Sequence, residues 1–116
     1  TGSFIGGGAA NYITTVKSGV VAGNANCILD SAATNSMIGA GNFNTIRGNA
    51  INSMIGAGQS NTICGHCNTF IFGCGITSIR NDTLHANRLW LGNLPTSSAG
   101  LVTGEVWNSA GTLKIV

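Results

Sequence analysis

Cys64-Gly65-His66-Cys67 is the run in this chain whose residue types and spacing could most directly do chemistry. Two thiols separated by two residues suit a thioredoxin-like redox pair, in which a helix N-terminus lowers the thiol pKa. They also suit one edge of a tetrahedral zinc site, with Cys64, His66 and Cys67 as candidate ligands. The redox reading needs a βαβ surround, and no such pattern flanks the run. The zinc reading lacks a second CxxC, although a threefold axis between chains could multiply ligands. A Cys64–Cys67 disulfide would close an awkwardly small loop, whereas pairing of Cys67 with Cys74, or across chains, stays open. The reading preferred here is that Cys27, Cys64, Cys67 and Cys74 pack between layers as small apolar side chains. No cofactor and no resident metal is expected.

The other titratable groups are sparse. The acids are Asp30, Asp82 and Glu105, and the imidazoles are His66 and His85. Glycoside hydrolysis needs two carboxylates about 5–10 Å apart, and these three lie in separate segments. Asp82 reads as a turn cap and Glu105 as a solvent-facing residue, so the chain is not expected to be an enzyme. The five basic residues, Lys17, Arg47, Arg80, Arg88 and Lys114, are scattered over the full 116 residues and form no stripe. Nucleic acid is therefore not expected as a partner. No run approaches the roughly 20 apolar residues of a membrane-spanning helix, so membrane insertion is not expected either.

These few chemical groups sit on a repeating frame. A small hydroxyl residue, an aliphatic two places on, usually a glycine, usually an asparagine and then isoleucine recur at 3–13, 18–28, 36–46, 53–63 and 69–79. The aliphatic and the final isoleucine are always eight residues apart: Ile5 and Ile13, Val20 and Ile28, Ile38 and Ile46, Ile55 and Ile63, Ile71 and Ile79. A unit this short buries no apolar face alone and must stack on its neighbours. The spacing predicts two short strands per unit joined by a turn, each pointing one β-branched side chain inward. Gly8, Gly23, Gly41 and Gly58 mark the turn, where a positive φ is accessible without a Cβ. Asn11, Asn26, Asn44 and Asn61 follow, placed to stack as an amide ladder. In the fifth copy this alignment puts Cys74 at the glycine position and Thr77 at the asparagine position, as suits a terminal coil.

The fold class is thus all-β: a short solenoid, a β-roll or β-helix of about five coils over 1–80, followed by a small C-terminal β cap over 81–116. Only 7% of residues are charged while 43% are hydrophobic, against about a quarter charged in ordinary domains. That balance argues against disorder and for a surface largely covered by copies of the chain. A short stack also exposes apolar ends and strand edges, which association of identical chains would cover. In the cap a strand is predicted at 88–91, a loop at 93–100, and a hairpin of 101–107 with 112–116 turned on Asn108 to Gly111. Trp90 and Trp107 are expected to meet their counterparts from neighbouring chains. The chain starts inside a repeat, so a parent with more coils or a shaft upstream is expected.

Leu89 to Val116, with its LxLGNLPTSxxGLxxGxVW run and GTLKI strand, resembles a segment recurring near the C-termini of bacteriophage tail-fibre proteins. Asn35 to Ile46 and Asn52 to Ile63 resemble the NSxIGxGxxNTI coils of trimeric fibre and trimeric autotransporter adhesin heads. The resemblance implies a homotrimer forming the C-terminal tip of an attachment fibre. It further implies host attachment through a cell-surface receptor, a glycan being the leading candidate, and an extracellular location on a virion tail fibre or a bacterial surface fibre.

If the tip binds a glycan, aromatics set among small turn residues suit stacking on sugar rings. That nominates Tyr12 and Phe43, with Arg47 supplying hydrogen bonds. Phe4, Phe70 and Phe72 read as interface packing. Two alternatives stand beside this reading. One is a purely structural shaft or trimerisation module with no ligand. The other is a hexapeptide-type acyltransferase, whose aliphatic every six residues fits the eight-residue spacing poorly.

Overall fold

In the computed structural model, which describes residues 2–116, the eight-residue spacing becomes two parallel sheets wound by one chain. The first sheet stacks β1 (Phe4–Ile5), β3 (Gly19–Val20), β5 (Met37–Ile38), β7 (Met54–Gln59), β9 (Phe70–Cys74) and β10 (Leu84–Ala86) in that order. The second stacks β2 (Tyr12–Ile13), β4 (Cys27–Ile28), β6 (Thr45–Arg47) and β8 (Thr62–Cys64). A separate antiparallel hairpin joins β11 (Val106–Ser109) to β12 (Thr112–Ile115). The chain is all-β, a solenoid of about five coils and without helix among the described residues, in a body 49 × 23 × 22 Å. Thr1, the first residue of the 1–80 segment, lies outside the described residues.

Register follows from side-chain alternation. Ile5 pairs with Val20, and the column runs on through Ile38, Ile55 and Ile71 to His85. Across the core, Ile13, Ile28, Ile46 and Ile63 form the second inward column. From Val20 and Ile28 onward these aliphatics are fully buried, together with Ala33 and Ala50 from the connectors. At the N-terminal edge of the described stack, Ile5 is 46% exposed.

The turn glycines answer two demands at once. Gly41 has φ 108°, and a Cβ there would run into the carbonyl oxygen of Gly58 one coil on. Two further corners of each coil take positive φ with ordinary residues, one at Ala10, Ala25, Phe43 and Ser60, the other at Lys17, Asn35, Asn52, Asn68 and Asp82.

The fifth coil departs from the eight-residue alignment. Gly58 pairs with Gly73, and the β7–β9 register shifts between Ile55 and Ala57, so the turn is one residue shorter than in the coils before it. Gly73 therefore holds the glycine position in place of Cys74, and Ile76 the asparagine position in place of Thr77. Thr62 bridges to Thr77, which puts Ser78 beyond Ile63. Ser78 is buried and Ile79, expected in the core, is 72% exposed. The repeat also runs past residue 80: Leu84–Ala86 adds a sixth rung to the first sheet, with His85 over Ile71.

The tail differs from expectation as well. Residues 88–91 form no strand. Trp90 is 87% exposed, its ring lying over Gly92, and Trp107 sits half-buried opposite Lys114 in the hairpin, whose Nζ is 5.5 Å from its ring centroid. The hairpin is shorter than 101–107 with 112–116, turning on Ala110 and Gly111, both at positive φ. Such a two-residue turn matches the right-handed twist of the strands it joins.

Candidate functional site

Polar side chains inside the solenoid are structural, and they are directional. Asn26, Asn44 and Asn61 are fully buried. Asn44 donates from Nδ2 to the Asn26 Oδ1 (3.0 Å) and to the Gly58 carbonyl one coil on (2.9 Å). Its own Oδ1 accepts from the Asn61 backbone N–H (3.1 Å) and the Asn61 Nδ2 (3.0 Å). A second ladder, which the spacing alone did not reveal, uses the hydroxyls. Ser36 Oγ donates to the Ala50 carbonyl (2.7 Å) and accepts from the Ser53 N–H (3.2 Å). The signal was present in the Ser or Thr that opens every copy.

The acids are committed in the same way. Asp30 accepts from the Gly48 N–H, Asp82 from the Asn68 Nδ2 and Glu105 from the Val102 N–H. Glu105 thus closes a turn while staying exposed, as the sequence suggested. Asp82 also ends a side-chain ladder of Asn35, Asn52 and Asn68 along one corner.

Around Cys64 to Cys67 the structure offers neither a helix N-terminus nor a ligand set. His66 Nδ1 lies 2.7 Å from the Ser78 Oγ, and the Cys67 thiol donates to the Asn49 carbonyl. Among the described residues, no three His, Cys, Asp or Glu side chains come together as metal ligands. The four cysteines are free thiols, with Cys64 and Cys74 exposed and Cys27 and Cys67 half-buried. This corrects the expectation of thiols packed between coils. Each follows an alternating strand or connector and points off the inward columns.

Tyr12, Phe43 and Arg47 all lie on the outer side of the second sheet's coils. Tyr12 heads the outward column Cys27, Thr45, Thr62. Phe43 stands at a positive-φ corner and Arg47 pairs with Cys64. Phe43 and Arg47 share the third coil, and Tyr12 is two coils away, about 10 Å along the stack. The three are exposed but form no common cavity. Concavities of about 360 and 310 Å3 lie instead at the N-terminal end, around Phe4, Lys17 and Met37, and around Ser3, Ile5 and Ile13.

The most continuous exposed feature is apolar. On the outer face of the first sheet Phe4, Met37, Met54, Phe70 and Leu84 follow one column, with Val21 and Phe72 beside it. The Phe4 ring covers Gly19 and the Phe72 ring covers Gly56. The tail adds Leu89, Trp90, Val102, Leu113 and Ile115, all exposed. Comparison with protein-family models, with curated proteins and with solved structures finds no match.

Proposed function

We propose that this chain is a subunit of a homotrimeric attachment fibre, whose C-terminal tip binds a cell-surface receptor, a glycan in the first instance. The observation that carries the reading is the apolar face of the first sheet, continued in kind by the exposed tryptophan and aliphatics of the tail. Contiguous apolar surface of this extent marks an interaction site. The chain has little charge with which to keep such a surface apart from its copies. On this reading residues 88–116 act as the trimerisation cap, and the fibre lies outside the cell, on a virion or a bacterial surface. Its activity is binding, with no bond made or broken.

The ligand site follows from what the trimer leaves uncovered. With the first sheet turned to its copies, the second sheet faces outward and presents Tyr12, Phe43 and Arg47. Phe43 at φ 56° supports a role for its ring, because a bulky side chain at a left-handed corner costs about 1 kcal/mol or more without packing in return. Three copies of a shallow site raise weak contacts to useful avidity. Screening the recombinant protein against a glycan array and whole cells tests the reading. Binding that Tyr12→Ala or Phe43→Ala weakens, with folding unchanged, supports it. A trimer that binds no surface favours the structural shaft module.

A further inference from the structure

The outer side of the second sheet is a grid of three columns, and one row of it differs from the rest. Strand pairing fixes the middle column as Tyr12, Cys27, Thr45, Thr62 and Thr77. Two residues before each stands a positive-φ corner, at Ala10, Ala25, Phe43, Ser60 and Gly75. Two residues after each come Thr14, Leu29, Arg47, Cys64 and Ile79. Ala10, Ala25 and Phe43 hold nearly the same backbone angle (φ 55°, 53° and 56°), so the corner itself asks for no ring. Phe43 nevertheless places one there, 57% exposed, in a column that is otherwise alanine, serine and glycine. The last column likewise asks for no charge. Leu29 and Cys64 occupy it in the adjoining coils, and Arg47 is exposed between them.

Phe43 and Arg47 belong to one coil, four residues apart, so at about 3.3 Å per residue they bracket a strip about 13 Å long. Alternation turns Asn44 and Ile46 inward, both fully buried, and leaves Thr45 as the floor of the strip. The next coil sets the hydroxyls of Ser60 and Thr62 alongside, one strand spacing away. The row thus carries an aromatic ring at one end, hydroxyls along its floor and a guanidinium at the other end. One sugar cannot meet both ends, whereas a short oligosaccharide spans them.

Arg47 is the one charged residue of the grid. The chain's three acidic side chains accept hydrogen bonds elsewhere, and Asp30, which follows Leu29, accepts from the Gly48 N–H (2.8 Å). With the carboxylates so committed, the planar fork of the guanidinium is left for an oxyanion from outside, and a carboxylate or sulfate matches it with two parallel hydrogen bonds.

We infer that this row binds an acidic oligosaccharide, with a carboxylate or sulfate ester on Arg47, the apolar face of a sugar ring on Phe43 and a sugar hydroxyl on Thr45. The inference rests on the proposed function, for which it names the ligand class and centres the site on the third coil.

The test is an array of oligogalacturonates, sialylated and chondroitin-sulfate fragments and neutral gluco-oligosaccharides, followed by titration of the strongest binder into the protein. Circular dichroism checks the fold of every variant. The binders should carry a carboxylate or a sulfate. Arg47→Gln should weaken binding about tenfold, the worth of a charge-assisted pair. Arg47→Lys should weaken it less, since it keeps the charge and loses the fork. Phe43→Ala, a residue the corner already takes in two other coils, should weaken it about fivefold. Arg80→Gln removes the same charge outside the row and should leave the affinity within about twofold. Binding confined to neutral sugars overturns the inference and leaves the attachment reading standing. Equal losses in Arg47→Gln and Arg80→Gln overturn it as well, because they would show attraction to net charge alone. A protein that binds no glycan overturns the inference together with the glycan part of that reading.

Discussion

The solenoid and the tail solve the same problem with opposite success. Between Val20 and Ile71 every inward aliphatic is fully buried by its neighbours one coil away, whereas the tail leaves Trp90 87% and Ile115 72% exposed. The difference is one of chain economy. A coil meets the next coil of the same molecule, so its apolar column is closed by sequence-adjacent copies of itself. The tail has a two-stranded hairpin and loops tied by a few backbone bonds, such as Asn108 N–H to the Pro95 carbonyl, and no second layer to cover it. A lone hairpin is marginal in water. On the proposed reading the tail gets its second layer from two other chains.

Substitutions grade this contrast. Ile46→Asp places an unpaired carboxylate in the fully buried second column and should cost more than about 4 kcal/mol, abolishing the β-sheet circular dichroism signal. Asn44→Ala removes an amide joined to the coils on both sides and should lower the urea midpoint by the equivalent of about 2–4 kcal/mol. Trp90→Ala should leave the exchange protection of Asn44 and Asn61 unchanged while weakening subunit association, at about 2 kcal/mol for a large ring leaving an interface. A loss of solenoid protection in that variant would erase the contrast. Ile79→Ser should change stability by less than about 0.5 kcal/mol, because that side chain already faces water. An Ile79→Ser effect as large as that of Ile63→Ser would restore the eight-residue alignment of the fifth coil.

That fifth coil shows where sequence reasoning stopped. Four coils were legible because side-chain alternation and the Gly and Asn turn positions agree in them, and a β-branched residue every eight places has few other uses. In the fifth, Gly73, Cys74 and Gly75 offered two glycines for one turn, and spacing alone chose Ile79 over Ser78. The register with β7 decides otherwise, and register is a property of the neighbouring strand. Leu84-His85-Ala86 escaped notice for the same reason: none of the three is β-branched, and only pairing with Phe70–Phe72 makes them a rung. In the tail, Leu89-Trp90-Leu91 has strand composition but no strand beside it to pair with. The candidate site was legible as residue types and not as a constellation, since Tyr12, Phe43 and Arg47 share a face without converging.

Sedimentation equilibrium of the purified protein at micromolar concentration tests the central claim most directly. The account predicts a species of three 11.7 kDa chains, which the Trp90→Ala variant shifts toward dissociation. A stable, soluble single chain with its first sheet and tail open to water would contradict it.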